Sequence, residues 1–382
     1  AQVPFKTLPS VKELLSNTVS KGNLRDVAID DILGREPVNL NWSQIKSSLS
    51  GKRILITGGG GSIGSELCRR LARGSPEALI IYEHSEYNLY QIHTSLRKGF
   101  PDLVLRTILG DVVDRTAVEE LIRNEKPEVI FHAAAYKHVP LLEEQVLAAV
   151  TNNLIGTKNV AEVALAENVE RFILISTDKA VNPSNIMGAT KRAAEILCQN
   201  LNTLAEHTSF ITVRFGNVLD SAGSVVPLFR EQIKAGGPVT VTHPDVTRFF
   251  MTIPEACRLI MNAEAVGSGG EIYVLDMGKA IKISYLAEQM IQLSGLSVGS
   301  DIKIEYIGLR AGEKLHEVLF HEQEQLLGTG FEKLFLAQAR RYEQDVWEQQ
   351  MKGLLVACKN RQSAAILEQL KQLVPEFNTA DE

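Results

Sequence analysis

The stretch 53-RILITGGGGSIGSELCRRL-71 decides the fold. Its first five residues read as a strand buried on both faces. They run directly into Gly58, Gly61 and Gly64, which open a helix that continues through Leu71. Each glycine answers a separate need. The first permits a tight turn, and the second lets the backbone approach a pyrophosphate. The third lets the helix pack closely on the sheet, with its N-terminal dipole facing the anion. Outward from this unit, ALIIY (78–82), LVLRTIL (103–109), EVIFHAAA (128–135), RFILIST (171–177) and FITVRFGN (210–217) read as further strands. Helical patterns at 114–124, 143–167 and 187–205 separate them. This alternation predicts an α/β fold, a doubly wound parallel sheet covered on both faces.

The flanks differ in character. Residues 1–50 read as an arm or linker with a short helical pattern near Val11–Leu15, and 51–220 as the cofactor-binding domain. Pieces after 217 (helices near 227–235, 254–266 and 283–294, and the strand EIYVLD at 271–276) are expected to build a smaller lobe, mainly 221–340. Residues 341–382 read as a helical tail.

Composition sets limits. With 382 residues, 45% hydrophobic and 23% charged, the chain is long enough for a large core and more than one lobe. A net charge of −6 without a basic run argues against a nucleic-acid surface. Cys68, Cys198, Cys257 and Cys358 lie far apart and read as reduced, packed thiols of a cytoplasmic compartment. The eight histidines do not cluster with acids or cysteines, so no metal site is expected. No apolar run approaches the roughly 20 residues that span a bilayer. The opening AQVPFKTLPSVKELL lacks an initiator Met, and a longer parent with membrane helices upstream is the expectation.

Two ends of a ligand site can be read from the strand ends. Glu83 closes the second strand, where a carboxylate accepts hydrogen bonds from an adenosine ribose and repels a 2′-phosphate, favouring NAD over NADP. Alternatively it is a surface carboxylate, because His84 and Glu86 blur the register. Asp111 closes the third strand, either at the adenine edge or as a helix N-cap or turn residue. At the end of the fifth strand stands 176-STDKAVNPSNIMGATK-191. Ligands of such sheets bind outside the carboxyl ends of the strands, so Thr177, Asp178 and Lys179 fall at the expected reaction edge. Met187 and Lys191 share one helical face. The lysine is placed to reach a nicotinamide ribose, but a thioether moves no protons.

TGGGGSIG, HAAAYKHVP, TNNLIGTKN, STDKAVNPSNIMGATKR and VRFGNVLDSAGSVVPLF together resemble the extended short-chain dehydrogenase/reductases. More narrowly, the chain is similar to the nucleotide-sugar 4,6-dehydratases of bacterial polysaccharide and glycan biosynthesis. STDKA resembles the UDP-N-acetylglucosamine branch. Met187 and ILGREPVNL resemble its membrane-anchored subgroup, which retains configuration at C5, whereas inverting relatives keep a tyrosine at 187. The resemblance implies a Rossmann fold, bound NAD, a UDP-N-acetylglucosamine substrate, a homo-oligomer and the cytoplasmic side of the inner membrane. It implies hydride removal from C4, loss of water across C5 and C6, and hydride return to C6. Lys179 is then the base for C5, Asp178 the acid for the C6 hydroxyl, and Thr177 a hydrogen-bond partner of the C4 hydroxyl.

The resemblance also sets Thr57, Ser62, Ile63, Val112, Ala133, Ala134, Ala135 and Asn153 with the cofactor. Asn153 orients the catalytic loop or is a plain helix residue. Lys137, His138, Asn217, Val225, Thr240, Arg248, Arg310 and Glu313 are the expected substrate set. The arginines suit a pyrophosphate as forked donors; Arg248, Arg310 and Glu313 could each instead be half of a surface ion pair, and His138 a structural histidine. The helices at 143–167 and 187–205 are the candidate subunit interface. Competing readings are an inverting dehydratase, a C4 epimerase, and an NAD-sensing module without catalysis.

Overall fold

The computed structural model describes residues 6–7, 25–26, 42–321, 324, 326–337 and 343–378. The helix expected near Val11–Leu15 lies outside them. Backbone contacts divide the chain into two compact units.

The larger unit spans 38–216, 253–277 and 310–382. Its helix α1 (Trp42–Leu49) precedes strand β1 (Arg53–Thr57), helix α2 (Ser62–Ala72), strand β2 (Ala78–Glu83), helix α3 (Glu86–Gly99) and strand β3 (Leu105–Leu109). Helix α4 (Arg115–Glu125) leads to β4 (Val129–His132), and β5 is Arg171–Ile175. The region between β4 and β5 is not one helix. It contains α5 (Val139–Glu143), α6 (Val146–Ala149), a π-helical turn at Val150–Ile155 and α7 (Gly156–Ala166). Helix α8 (Ile186–Leu204) and strand β6 (Ser209–Arg214) follow.

The main sheet runs β3-β2-β1-β4-β5-β6 in parallel register. Connections run outward from β1 to β3, then return to β4 on the other side of β1. That reversal opens a crevice at the carboxyl ends of β1 and β4, the switch point at which such sheets bind ligands.

One sequence expectation is corrected. The helix Ile253–Val266 and the strand Ile272–Leu275 (β7), assigned to the smaller lobe, belong to the larger unit. β7 pairs parallel with β6, and its four residues are all buried. IYVL is an apolar run suited to burial on both faces, so it extends the sheet instead of forming a separate one. Two antiparallel strands, Leu326–Gly328 (β8) and Leu334–Ala337 (β9), complete this edge.

The tail forms two helices, Gln344–Lys359 and Ser363–Leu373. Trp347, Met351, Leu354, Ile366, Leu370 and Phe377 join the same buried cluster as Ala149, Val160, Ile196 and Leu197. The tail therefore packs on α6 and α8, part of the helix pair expected to form a subunit interface. The tail thereby removes apolar residues of α6 and α8 from water.

The smaller unit includes 217–252 and 278–309. It contains the helices Val225–Lys234 and Ile283–Leu293, and a parallel pair of Val239–Val241 with Ile304–Tyr306. Shorter pairs join Thr247–Arg248 to Ile281–Lys282 and Asn217–Val218 to Phe250–Met251.

Candidate active site

The glycine loop is built by exclusion. Gly58 has φ +66°, and a Cβ there would stand 2.7 Å from the backbone of Ala134. A Cβ on Gly64 would meet the Gly58 carbonyl at 2.2 Å. The first glycine lets the loops after β1 and β4 touch, and the second lets α2 start against the turn. No side chain caps α2 at Gly61, so its first amides are suited to an anion.

Gly58, Gly61, Glu83, Asp111, Val112, Ala133, Ala134 and Ala135 line one cleft at the switch point. Ser62 and Ile63 stand in the first turn of α2. Glu83 is 3% exposed. Its Oε2 accepts the Gly60 amide at 2.9 Å, and Oε1 accepts the Ser85 amide at 3.0 Å. Asp111 is exposed and accepts the Val113 amide at 3.0 Å, so it shapes a turn, while Asp114 caps α4. Asn88, Tyr136 and Asn152 also line the cleft and had not been singled out. Tyr136 and Asn152 lie within HAAAYKHVP and TNNLIGTKN, whereas Asn88 belongs to no quoted motif and only the fold brings it there.

Thr57 stands behind the cleft. It is fully buried, and its hydroxyl lies 2.8 Å from His132 Nδ1. His132 Nε2 lies 2.9 Å from Thr157 Oγ1, which donates to the Asn153 carbonyl at 2.6 Å. Because Thr157 spends its proton on that carbonyl, Nε2 must be the imidazole donor and Nδ1 accepts from Thr57. Burial and the nearby Lys191 push the His132 pKa down to about 3, which keeps the ring neutral.

Asn153 lies in the π-helical turn, fully buried. Its Oδ1 accepts the Tyr136 amide at 2.8 Å, and its Nδ2 donates to the Tyr136 carbonyl and to Thr190 Oγ1. It ties the loop after β4 to α8, and Asn152 faces the cleft instead.

The STDK segment enters a single helical turn at the end of β5. Asp178 is 1% exposed. Its Oδ1 accepts from Thr177 Oγ1 at 2.9 Å and from Lys179 Nζ at 3.0 Å. Its Oδ2 has no partner among the described residues. Lys179 Nζ also lies 3.7 Å from Glu317 Oε1. Asn185 caps α8 by accepting the Gly188 amide at 2.7 Å. Met187 follows in the first turn, 3% exposed and part of the apolar core.

Lys191 is 4% exposed, and its Nζ has no hydrogen-bond partner among the described residues. Burial pulls its pKa down to about 8 against the opposing pull of Glu195. A buried cation without a partner is costly. A polar ligand bound beside it would relieve that cost. With the glycine cradle, it fits a dinucleotide lying across the carboxyl ends of the strands.

The expected substrate residues fall in both units. Lys137, His138 and Arg310 are exposed, and Glu313 is half-buried, in the larger unit. Arg310 Nε lies 3.4 Å from Glu313 Oε2. Partial burial, then Lys137 and Arg310, lower the His138 pKa. Asn217, Val225, Thr240 and Arg248 belong to the smaller unit. Thr240 Oγ1 accepts from Gln232, and the buried Arg248 donates to the Thr247 carbonyl at 2.7 Å.

A second buried network escaped the sequence reading. Ser176 donates to Glu195 at 2.6 Å, and Glu195 also binds Arg192 and Arg214. Arg214 reaches Glu324, and Arg192 reaches Glu376. These ion pairs join β5, α8 and β6 to distant segments, so no spacing in the sequence announces them.

Comparison with known proteins fits this geometry. The family model described as "Polysaccharide biosynthesis protein" matches residues 54–339. The chain is 48% identical over 336 residues to the capsular polysaccharide biosynthesis protein CapD of Staphylococcus aureus, covering 88% of this chain and 56% of that protein. It thus spans about half the length of that relative. A UDP-N-acetylglucosamine 4,6-dehydratase (inverting) of Campylobacter jejuni is 33% identical over 290 residues, 75% of this chain and 82% of that one. A UDP-glucose 4-epimerase of Rickettsia canadensis is 34% identical over 280 residues, 72% and 79% of the two chains. Among solved structures, Pen from Bacillus thuringiensis superposes with a TM-score of 0.70 at 34% identity, covering 75% of this chain and 89% of its own. The chain belongs to the polysaccharide biosynthesis protein family, of the extended short-chain dehydrogenase/reductase type.

Proposed function

We infer that the chain is an NAD-dependent UDP-N-acetylglucosamine 4,6-dehydratase that retains configuration at C5. The observation that carries this reading is the Asp178–Lys179 couple, with Nζ 3.0 Å from Oδ1 and Oδ2 without a hydrogen-bond partner among the described residues. An ionisable pair stands at the end of β5 while the usual phenol position, Met187, is packed into the core. Both an acid and a base are needed to remove water from a 4-keto sugar.

NAD, when bound, accepts a hydride from C4 and returns it to C6. The residues of this chain do the rest. The glycine loop and the α2 amides hold the pyrophosphate, and Glu83 fixes the loop and faces the ribose. Lys191 binds the nicotinamide ribose. Thr177 holds the C4 hydroxyl, whose proton passes by way of the Thr177 hydroxyl to Asp178. Lys179 Nζ takes the C5 proton, and Asp178 gives its proton to the departing C6 hydroxyl. Returning the C5 proton from the same Nζ, on the same face, yields retention.

Lys137, His138, Arg310, Glu313, Asn217, Val225, Thr240 and Arg248 are assigned to the uridine nucleotide and sugar. In this proposal 51–220 is mainly cofactor domain, and the substrate domain is mainly 221–252 and 278–309. The chain works as a homo-oligomer at the cytoplasmic face of the membrane. Among the described residues no helix is long and apolar enough to cross a membrane.

An epimerase reading is favoured by the Rickettsia relative. The Asp178–Lys179 couple speaks against it, since C4 epimerisation removes no proton from C5 and expels no hydroxyl from C6. Incubation with UDP-N-acetylglucosamine separates the readings. A product lighter by one water, with a 4-ketone and unchanged C5 configuration by NMR coupling, is expected. An isobaric C4 epimer would support the epimerase, and inverted C5 the inverting dehydratase. Unchanged substrate beside firm NAD binding would support a sensor.

A further inference from the structure

Lys179 faces two carboxylates. Its Nζ lies 3.0 Å from Asp178 Oδ1 and 3.7 Å from Glu317 Oε1. Glu317 is 7% exposed and comes from a distant segment of the same unit. Each carboxylate keeps one buried oxygen, Asp178 Oδ2 and Glu317 Oε2, without a hydrogen-bond partner among the described residues.

That arrangement bears on a conflict within the site. For water to leave, Asp178 must start protonated and therefore neutral. Asp178 becomes a counter-charge only as its proton leaves with the C6 oxygen, so at the start of proton transfer it offers none to the ammonium forming on Lys179. Taking up a proton in a buried place without a counter-charge is unfavourable. We propose that Glu317 is a positioning residue for this reaction, the carboxylate that stays ionised throughout and stabilises the Lys179 ammonium as it forms. The inference rests on the dehydratase reading above.

The step balances. The C5 proton passes to Nζ, and the C5–H electron pair becomes the C5–C6 double bond. The C6–O bond breaks, and the oxygen leaves as water with the proton of Asp178. Before the step the site holds an amine, a carboxylic acid and the Glu317 carboxylate. Afterwards it holds an ammonium and two carboxylates. The net charge is the same, and the ammonium lies between two anions. Glu317 needs no contact with the sugar, because it acts through Nζ by charge alone.

The test compares Glu317→Gln, which keeps shape and loses charge, with Glu317→Asp, which keeps charge on a shorter arm. In D2O, Glu317→Gln is expected to slow deuterium entry at C5 about tenfold or more, an effect of removed counter-charge. KM for UDP-N-acetylglucosamine and NAD occupancy stay at wild-type values. The kinetic isotope effect with C5-deuterated substrate rises, because that step becomes limiting. Glu317→Asp stays within about threefold of wild type, since charge is what acts. Gln matching wild type, Gln and Asp falling together, or an unmoved isotope effect would each overturn the inference while leaving the dehydratase reading intact. Wild-type protein that releases no water from UDP-N-acetylglucosamine would sink the dehydratase reading, and this inference with it.

Discussion

Glu83 Oε2 accepts the amide of Gly60 at 2.9 Å, so the acid that ends the second strand is tied to the glycine loop that follows the first. The same carboxylate accepts the Ser85 amide. Removing it leaves two backbone donors short of a partner, at a cost of about 1–3 kcal/mol. Glu83→Ala should therefore lower the stability of the cofactor-free protein as well as weaken NAD about tenfold, or 1.4 kcal/mol. Chemical denaturation and calorimetric titration measure the two. Unchanged apo stability would mean that the carboxylate serves the ligand only.

Gly64→Ala places a Cβ 2.2 Å from the Gly58 carbonyl, and backbone cannot swing aside as a flexible side chain can. The start of α2 must shift. The expected loss is roughly 3 kcal/mol, at the upper end for overpacking, with NAD binding lost because the cradle moves. A variant that folds and binds NAD normally would show that the loop relaxes freely.

Lys179→Ala should abolish solvent deuterium entry at C5. Asp178→Asn should slow water loss by about 10²–10⁴, the usual worth of a positioned acid. NMR of the product in D2O reads the first, and mass change with time reads the second. Normal turnover in both variants would reject the roles given to this couple.

Lys191 is held at about 8 by burial, against 10.5 for a free lysine. Below pH 8 it is charged in both folded and unfolded chains, and burying that charge opposes folding. Between pH 8 and 10.5 the unfolded chain holds the proton more tightly, so raising the pH relieves the penalty. Lys191→Met should stabilise the cofactor-free protein at pH 7 by on the order of 1–3 kcal/mol. The gap should close as pH rises through that window, while turnover is lost. A gap independent of pH would contradict this assignment.

Glu195 shows the opposite sign. Burial pushes it up, but Arg214, Arg192 and the Ser176 hydroxyl outweigh this and hold it at about 2. Its stabilising contribution is present above the ordinary 4.5 and disappears as pH falls toward 2. Glu195→Gln leaves buried arginines undercompensated, at a cost of about 3–5 kcal/mol near neutrality. Acid titration of both proteins should show their stabilities converging between pH 4.5 and 2.

Much of the architecture could be read along the chain because it is written in local terms. Strand, glycine turn and helix at 53–71 are set by apolar period and by the φ that only glycine accepts cheaply. The same reasoning located the other strands of the parallel core and the STDK segment at a strand end. It failed where long-range packing decides. IYVL at 272–275 reads as a strand anywhere, and only the open edge of β6 assigns it to the main sheet. The pattern at 143–167 reads as one helix, yet Asn153 sits in a π-helical turn that aims it at Tyr136.

Side-chain type and local period placed the glycine turn and the ionisable STDK residues at strand ends, because neither depends on the rest of the chain. Tertiary packing alone makes Met187 core, buries Lys191 Nζ with no hydrogen-bond partner among the described residues, lays the tail on α8, and sets Glu317 by Lys179. Each of these depends on which distant segments share a buried space, and charge and burial act through that space regardless of separation along the chain.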